Sequence, residues 1–173
     1  MKVLRLAALV AASSAFAFAH AQGKGPTDPQ IAGIVVAANQ IDVDAGKLAK
    51  SHSKNKEVQE FAQRMITDHT AVNKQASALV KKLKVKPEES DTSRSLKSAA
   101  KQTAGKMKGL KGAAFDKAYI DHEVAYHQAV LDAVDKTLIP GAKNEELKAL
   151  LVKVRPAFVA HLEHAKHLQS SLK

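Results

Sequence analysis

Four residues of this sequence stand where a helical repeat asks for an apolar side chain: Asp42, His69, His127 and His161. The first interrupts the series Ile31, Val35, Ala38, Asp42, Ala45, Ala49, and the second the series Val58, Phe61, Met65, His69, Val72, Ala76, Leu79, Leu83. The third lies in Ile120, Val124, His127, Leu131, Val134, Leu138, and the fourth in Leu147, Leu151, Val154, Phe158, His161, Ala165, Leu168. Steps of three and four residues keep each series on one helix face, so all four polar residues point at a core. Each falls near the middle of its stripe, and in an antiparallel bundle mid-helix positions meet in one layer. Three imidazoles and a carboxylate in one layer suit a transition-metal ion such as Zn, Fe, Mn, Cu or Ni. Asp68, Glu123 and Tyr119 lie close enough in sequence to orient those ligands, because a carboxylate that accepts the far N–H of a ligating imidazole sets its tautomer. His122 and His164 are further candidates for the same cluster. The alternative is a structural layer, in which the polar groups bond to one another and fix the register of the helices.

The elements that must position these residues read clearly. Helix one is expected over about 30–52, after a flexible lead-in at 22–29, with Thr27 or Asp28 as its cap and Pro29 in its first turn. Helix two is expected over about 56–84, and Pro87 bars its extension. A weaker Lys- and Ser-rich helix follows over about 92–107, then helix three over about 113–138 and helix four over about 144–171. Pro156 inside helix four should bend it and free one carbonyl. The links between helices one and two and between three and four are short, so each pair should form an antiparallel hairpin. The connection at about 85–112 is long enough, when partly helical, to run the length of a bundle. The fold class is therefore all-α: a four-helix bundle over 30–173 with one long, partly helical crossover, which is the ferritin-like arrangement. A simple up-down-up-down bundle with an added surface helix is the alternative.

Composition agrees with helices and narrows the address. Apolar residues make up 45% of the 173 and aromatics 4%, with no Trp, so the chain has core-forming residues but little of what sheets favour. Lys2 and Arg5 precede an apolar run from Leu6 to Phe18, and Ala19-His20-Ala21 supplies a small-x-small cleavage site. Residues 1–21 thus read as a signal peptide, too short to span a bilayer, and the expected location is periplasmic or outer-membrane-associated. Removing Lys2 and Arg5 from 27 basic residues leaves 25 against 17 acidic ones, a net charge near +8. Export argues against nucleic acid as a partner, and an anionic lipid or polysaccharide surface suits the charge better. Without cysteine there is no thiolate metal site, disulfide or lipid attachment point. No Gly-x-Ser-x-Gly, phosphate-binding loop or Glu-x-x-His pair occurs, so hydrolase chemistry and di-iron chemistry lack their usual residues and no catalytic residue is nominated.

Several segments resemble a known family. Phe61-Ala62-Gln63-Arg64-Met65-Ile66-Thr67-Asp68-His69 is similar to its Phe-Ala-x-x-Met-x-x-Asp-His signature, and Phe115-Asp116-Lys117-Ala118-Tyr119 to its Phe-Asp-x-x-Tyr motif. Pro156 through His161 resembles its Pro-x-x-x-x-His segment. On these motifs the chain resembles the exported domain-of-unknown-function family numbered 4142, often called putative outer membrane proteins, over about 31–168. The resemblance implies a ferritin-like bundle in the bacterial envelope and marks His69, His127 and His161 as motif residues. At Asp42 the family more usually carries Glu. It implies no reaction.

Overall fold

A computed structural model describes residues 25–172, all helix and short connections. The leader expected over 1–21 lies outside them. Helix α1 spans Asp28–His52, α2 Lys56–Lys82, α3 Asp91–Lys108, α4 Gly112–Ala133 and α5 Glu145–Ser171. Local chemistry sets most ends. Thr27 and Gln30 form a reciprocal capping box on α1, Ser90 and Ser93 do the same on α3, and Asn55 and Asn144 accept two backbone N–H groups each at the starts of α2 and α5. Asp28 is used elsewhere: its carboxylate accepts the N–H groups of Lys143 (2.9 Å) and Asn144 (3.0 Å), clasping the start of α1 to that of α5.

The direction of each helix follows from its end contacts. Asp28 meets Asn144 at one end of the bundle, and Lys82 pairs with Glu146 there. At the other end His52 stacks on Phe115, and Phe61 meets the ring of His164 edge-on. Hence α1 and α2 form one antiparallel hairpin, α4 and α5 another, and α2 and α4 run the same way. The chain must return along the bundle between them. Helix α3 does so, with Leu96 in the apolar cluster at the first end and Met107 in the cluster at the second. The long helical crossover is therefore present, and the simple up-down-up-down alternative is not the topology.

Two details depart from the expected helices. The third core helix does not stay α-helical to 138: α4 ends at Ala133 and continues as a π-turn over Val134–Leu138, then one turn at Ile139–Gly141. The N–H of Ile139 bonds to the carbonyl of Val134, five residues back, and Pro140 has no N–H with which to restore the α pattern. Arg155 of α5 forks onto Asp135 of this turn at 2.6 and 2.7 Å. Pro156 sits inside α5, which remains helical through it. Pro156 and Val152, whose carbonyl loses its partner, are both exposed, so water can serve that carbonyl.

Close backbone approach depends on two glycines of α1. A Cβ on Gly33 would lie 2.0 Å from the carbonyl oxygen of Glu88, and one on Gly46 would lie 2.9 Å from that of Ala62. Gly46 is one turn beyond Asp42 and lets α2 lie tightly against α1 beside the polar layer. The apolar core is divided in two. One cluster holds Ile31, Ile34, Leu138 and Leu151, the other Phe61, Met65, Tyr119 and Ile120. Between them lies a polar belt.

Candidate metal centre

The belt contains Asn39 and Asp42 from α1, His69 from α2, Glu123 and His127 from α4, and His161 from α5, all buried. Helical spacing alone accounts for their level. Each occupies the core-facing position between residues of the two apolar clusters, as His69 does between Met65 and Val72. The three imidazoles form a triangle, with ring centroids 5.5 Å apart for His69 and His127, 5.1 Å for His69 and His161, and 5.4 Å for His127 and His161. Phe158 stacks on His69 at 5.3 Å and limits the tilt of that ring.

Each ring has one nitrogen committed to a neighbour. Asn39 donates its side-chain N–H to the carbonyl of Val35 (2.8 Å), which leaves its oxygen to accept the Nδ1–H of His69 at 2.7 Å. His127 donates Nδ1–H to the backbone carbonyl of Glu123 at 3.0 Å. His161 donates Nε2–H to Asp68, half-exposed on α2, at 2.8 Å. Those three bonds fix the tautomers. The remaining nitrogens, Nε2 of His69, Nε2 of His127 and Nδ1 of His161, are buried lone pairs with no hydrogen-bond partner in the protein.

The carboxylates are equally unmatched. Asp42 Oδ2 lies 3.1 Å from Nε2 of His69 and 3.4 Å from Nε2 of His127, yet neither oxygen of Asp42 makes an aligned hydrogen bond. Both oxygens of Glu123 and the hydroxyl of Tyr119 are also without one. One ligand atom from each of His69, His127 and His161 lie mutually within 4.8 Å, as do one from each of Asp42, Glu123 and His127. Metal–nitrogen bonds of about 2.1 Å put tetrahedral ligand nitrogens about 3.4 Å apart, so closure needs movements of about an ångström.

Burial governs the protonation of this belt. It pushes Asp42 well above the carboxylate range, with the charge of Glu123 adding to the effect. It raises Glu123 to about 8, although the side chains of Asp42 and Tyr119 beside it pull the other way. It lowers His69 well below the ordinary histidine value, helped by repulsion from the other two rings, and lowers His161 to about 4 against the pull of Asp68. Tyr119 is raised well above its usual range by burial, then by the neighbouring carboxylates. The metal-free belt thus favours neutral His69 and His161, with open lone pairs, and protonated Asp42 and Glu123.

Of the residues singled out in the sequence, the structure brings Asp42, His69, His127 and His161 together, with Asp68 bonded to His161. Glu123, expected as an additional member of the cluster or as a group orienting a ligand, has its carboxyl inside the belt with Asp42, 3.4 Å from Nδ1 of His127. Two candidates do not join. His122 is tilted against Tyr126 (5.5 Å) and lines a separate groove between α1 and α3. His164 is half-buried against Phe61, one turn beyond His161. Asn39 was missed, although an amide three residues before Asp42 in an Ile-, Val- and Ala-rich helix is a legible signal.

This is an all-α bundle with a buried His/carboxylate belt. A family model described as a domain of unknown function (DUF4142) matches residues 13–168, and the chain belongs to that family. No curated protein matches the chain. No solved structure does either. Among the described residues, no helix is long and apolar enough to cross a membrane.

Proposed function

We propose that this protein binds a transition-metal ion in its central belt, through Nε2 of His69, Nε2 of His127 and Nδ1 of His161, with Asp42 as the adjoining carboxylate. The observation that carries the reading is the set of three imidazoles, each tied at one nitrogen and open at the other. That is how metal-ligating histidines are held by the residues around them. The structural alternative accounts for it poorly. A layer that only fixed register would satisfy its own members, whereas each unmatched buried group costs about 1–3 kcal/mol. A proton on Asp42 can serve one of the two Nε2 atoms beside it; a divalent cation serves both, and His161 as well. Nitrogen-rich donors favour Zn, Fe, Cu or Ni, and disfavour Mg and Ca. Glu123 would then neutralise charge beside the ion. The basic leader and apolar run at 1–21 support action outside the cytoplasm, in the periplasm or at the outer membrane.

Thermal unfolding of the purified chain, stripped with chelator and then supplied with Zn, Mn, Fe(II), Cu or Ni, tests this directly. An ion at a hundred times its Kd should add about 2.7 kcal/mol. His127→Ala should remove that gain, and His164→Ala, outside the belt, should keep it. No shift with any ion would leave the belt as architecture, and the basic surface, meeting anionic lipid or polysaccharide, would become the place to look for function.

A further inference from the structure

The belt has an open side. Between it and the apolar cluster containing Leu138 and Leu151, the packing leaves a cavity of about 30 Å³, with walls from all five helices and the π-turn. One end is closed by Asn39, Asp42, His69 and His127, and the rest of the lining is apolar, including Ile34, Leu96, Val134, Leu138 and Leu151. Both ends of the π-turn, Val134 and Leu138, face it.

Size and polarity select the occupant. A water needs roughly 10–15 Å³ of such room, so the space takes a molecule of two or three heavy atoms. Water also needs two to four polar partners, which only the belt end offers, through Asp42, His69 and His127; the apolar remainder of the space supplies none. A charged species would lose its hydration against hydrocarbon. A neutral diatomic asks for no hydrogen bonds, matches the volume, and could touch the belt with one end.

We propose that this cavity binds a small neutral gas molecule, of the dioxygen and nitric oxide class, beside Asp42, His69 and His127. The cavity stands on packing alone, and its use by the protein rests on the metal reading. A gas held there would lie against Asp42, His69 and His127, with apolar side chains around the rest of it.

Xenon is the probe, applied first to the metal-free chain. The expected result is a saturable, one-site change in the xenon resonance, with methyl shifts confined to residues such as Ile34, Val134, Leu138 and Leu151. Ala38→Val and Ala133→Val add bulk from two different walls, and each should abolish saturation while the chain still unfolds cooperatively. Zinc added to the xenon-loaded protein should then move the bound-xenon frequency. A non-saturable response, methyl shifts elsewhere, or saturation that survives both filling variants would overturn the proposal. So would a bound-xenon frequency blind to zinc that calorimetry shows to be bound. Xenon saturation in a chain that binds no metal would sink the metal centre while upholding the cavity, so the two failures are distinguishable.

Discussion

Replacing Glu123 with glutamine should stabilise the metal-free protein and weaken its hold on metal, an opposition few substitutions produce. Glu123 is fully buried between Asp42, Tyr119 and His127, and neither carboxylate oxygen has an aligned partner. Burial raises it from 4.5 to about 8. The favourable contribution of a group raised on folding is complete below its unfolded value and is lost as pH rises through its folded value. At pH 7 the unfolded chain has therefore gained about two and a half pH units of ionisation that the folded chain forgoes, worth about 3 kcal/mol. Glu123→Gln is permanently neutral and avoids that loss. An unpaired amide hydrogen would return part of it, so the net stabilisation should be about 1–3 kcal/mol. In a chain of this size that is a rise of roughly 2–4 °C in Tm per kcal/mol. The assay is denaturant and thermal unfolding of chelator-treated wild type and Glu123→Gln at pH 5 and pH 7. The gain should shrink at pH 5, where the unfolded carboxyl is less ionised. With metal added the order should reverse, because the ion needs the negative charge that glutamine lacks. A Glu123→Gln variant less stable than wild type at pH 7 without metal would refute the reasoning, since it would mean that Glu123 is ionised and well paired.

Metal-free wild type should lose up to about 2 kcal/mol of stability between pH 6.5 and 8, where the fold still holds the Glu123 proton that the unfolded chain has lost and the histidines no longer compensate. The zinc-loaded chain should show no such decline, because metal binding is favoured as protons leave the ligands; pH-resolved melting curves decide. On the acid side, His161 is depressed in the fold to about 4, so its contribution is present above 6.5 and lost as pH falls through about 4; His69, held well below the ordinary histidine value by burial, acts in the same direction, predicting acid unfolding with proton uptake at both rings. Asn39→Ala and Asp68→Ala each remove an acceptor that orients a ring, and calorimetry should find ion affinity down about 10–100-fold in each. Gly33→Ala drives a methyl into the carbonyl of Glu88 and should cost on the order of 1–3 kcal/mol, with hydrogen exchange rising first at residues 85–90.

Much of this molecule is legible in one dimension. The helix spans follow from three-and-four spacing and from caps such as Asn55 and Asn144, and the long Lys-rich connection between two short-linked hairpins foretells the crossover. The belt is legible too, because a polar residue inside an apolar stripe must share the level of its neighbours in the stripe. Periodicity has a limit, however: it says which face a residue is on and how high, but nothing about where its atoms point. That Nδ1 of His69 is bound and Nε2 open depends on Asn39 of another helix, and the reverse assignment at His161 depends on Asp68 across the α2–α5 contact. Glu123 stands one turn before His127 in the sequence, but that its carboxyl meets Asp42 as well as His127 follows from packing. His122 and His164 had suitable chemistry but wrong rotations, facing a groove and Phe61. The π-turn at Val134–Leu138 and the cavity it borders arise from how five helices fill a volume, a sum over side chains distant in sequence. The helices, their order and the level of the belt all follow from local repeats. Which lone pairs meet, and what space lies beside them, emerges in the packed bundle alone, because both depend on contacts between residues that no local pattern relates.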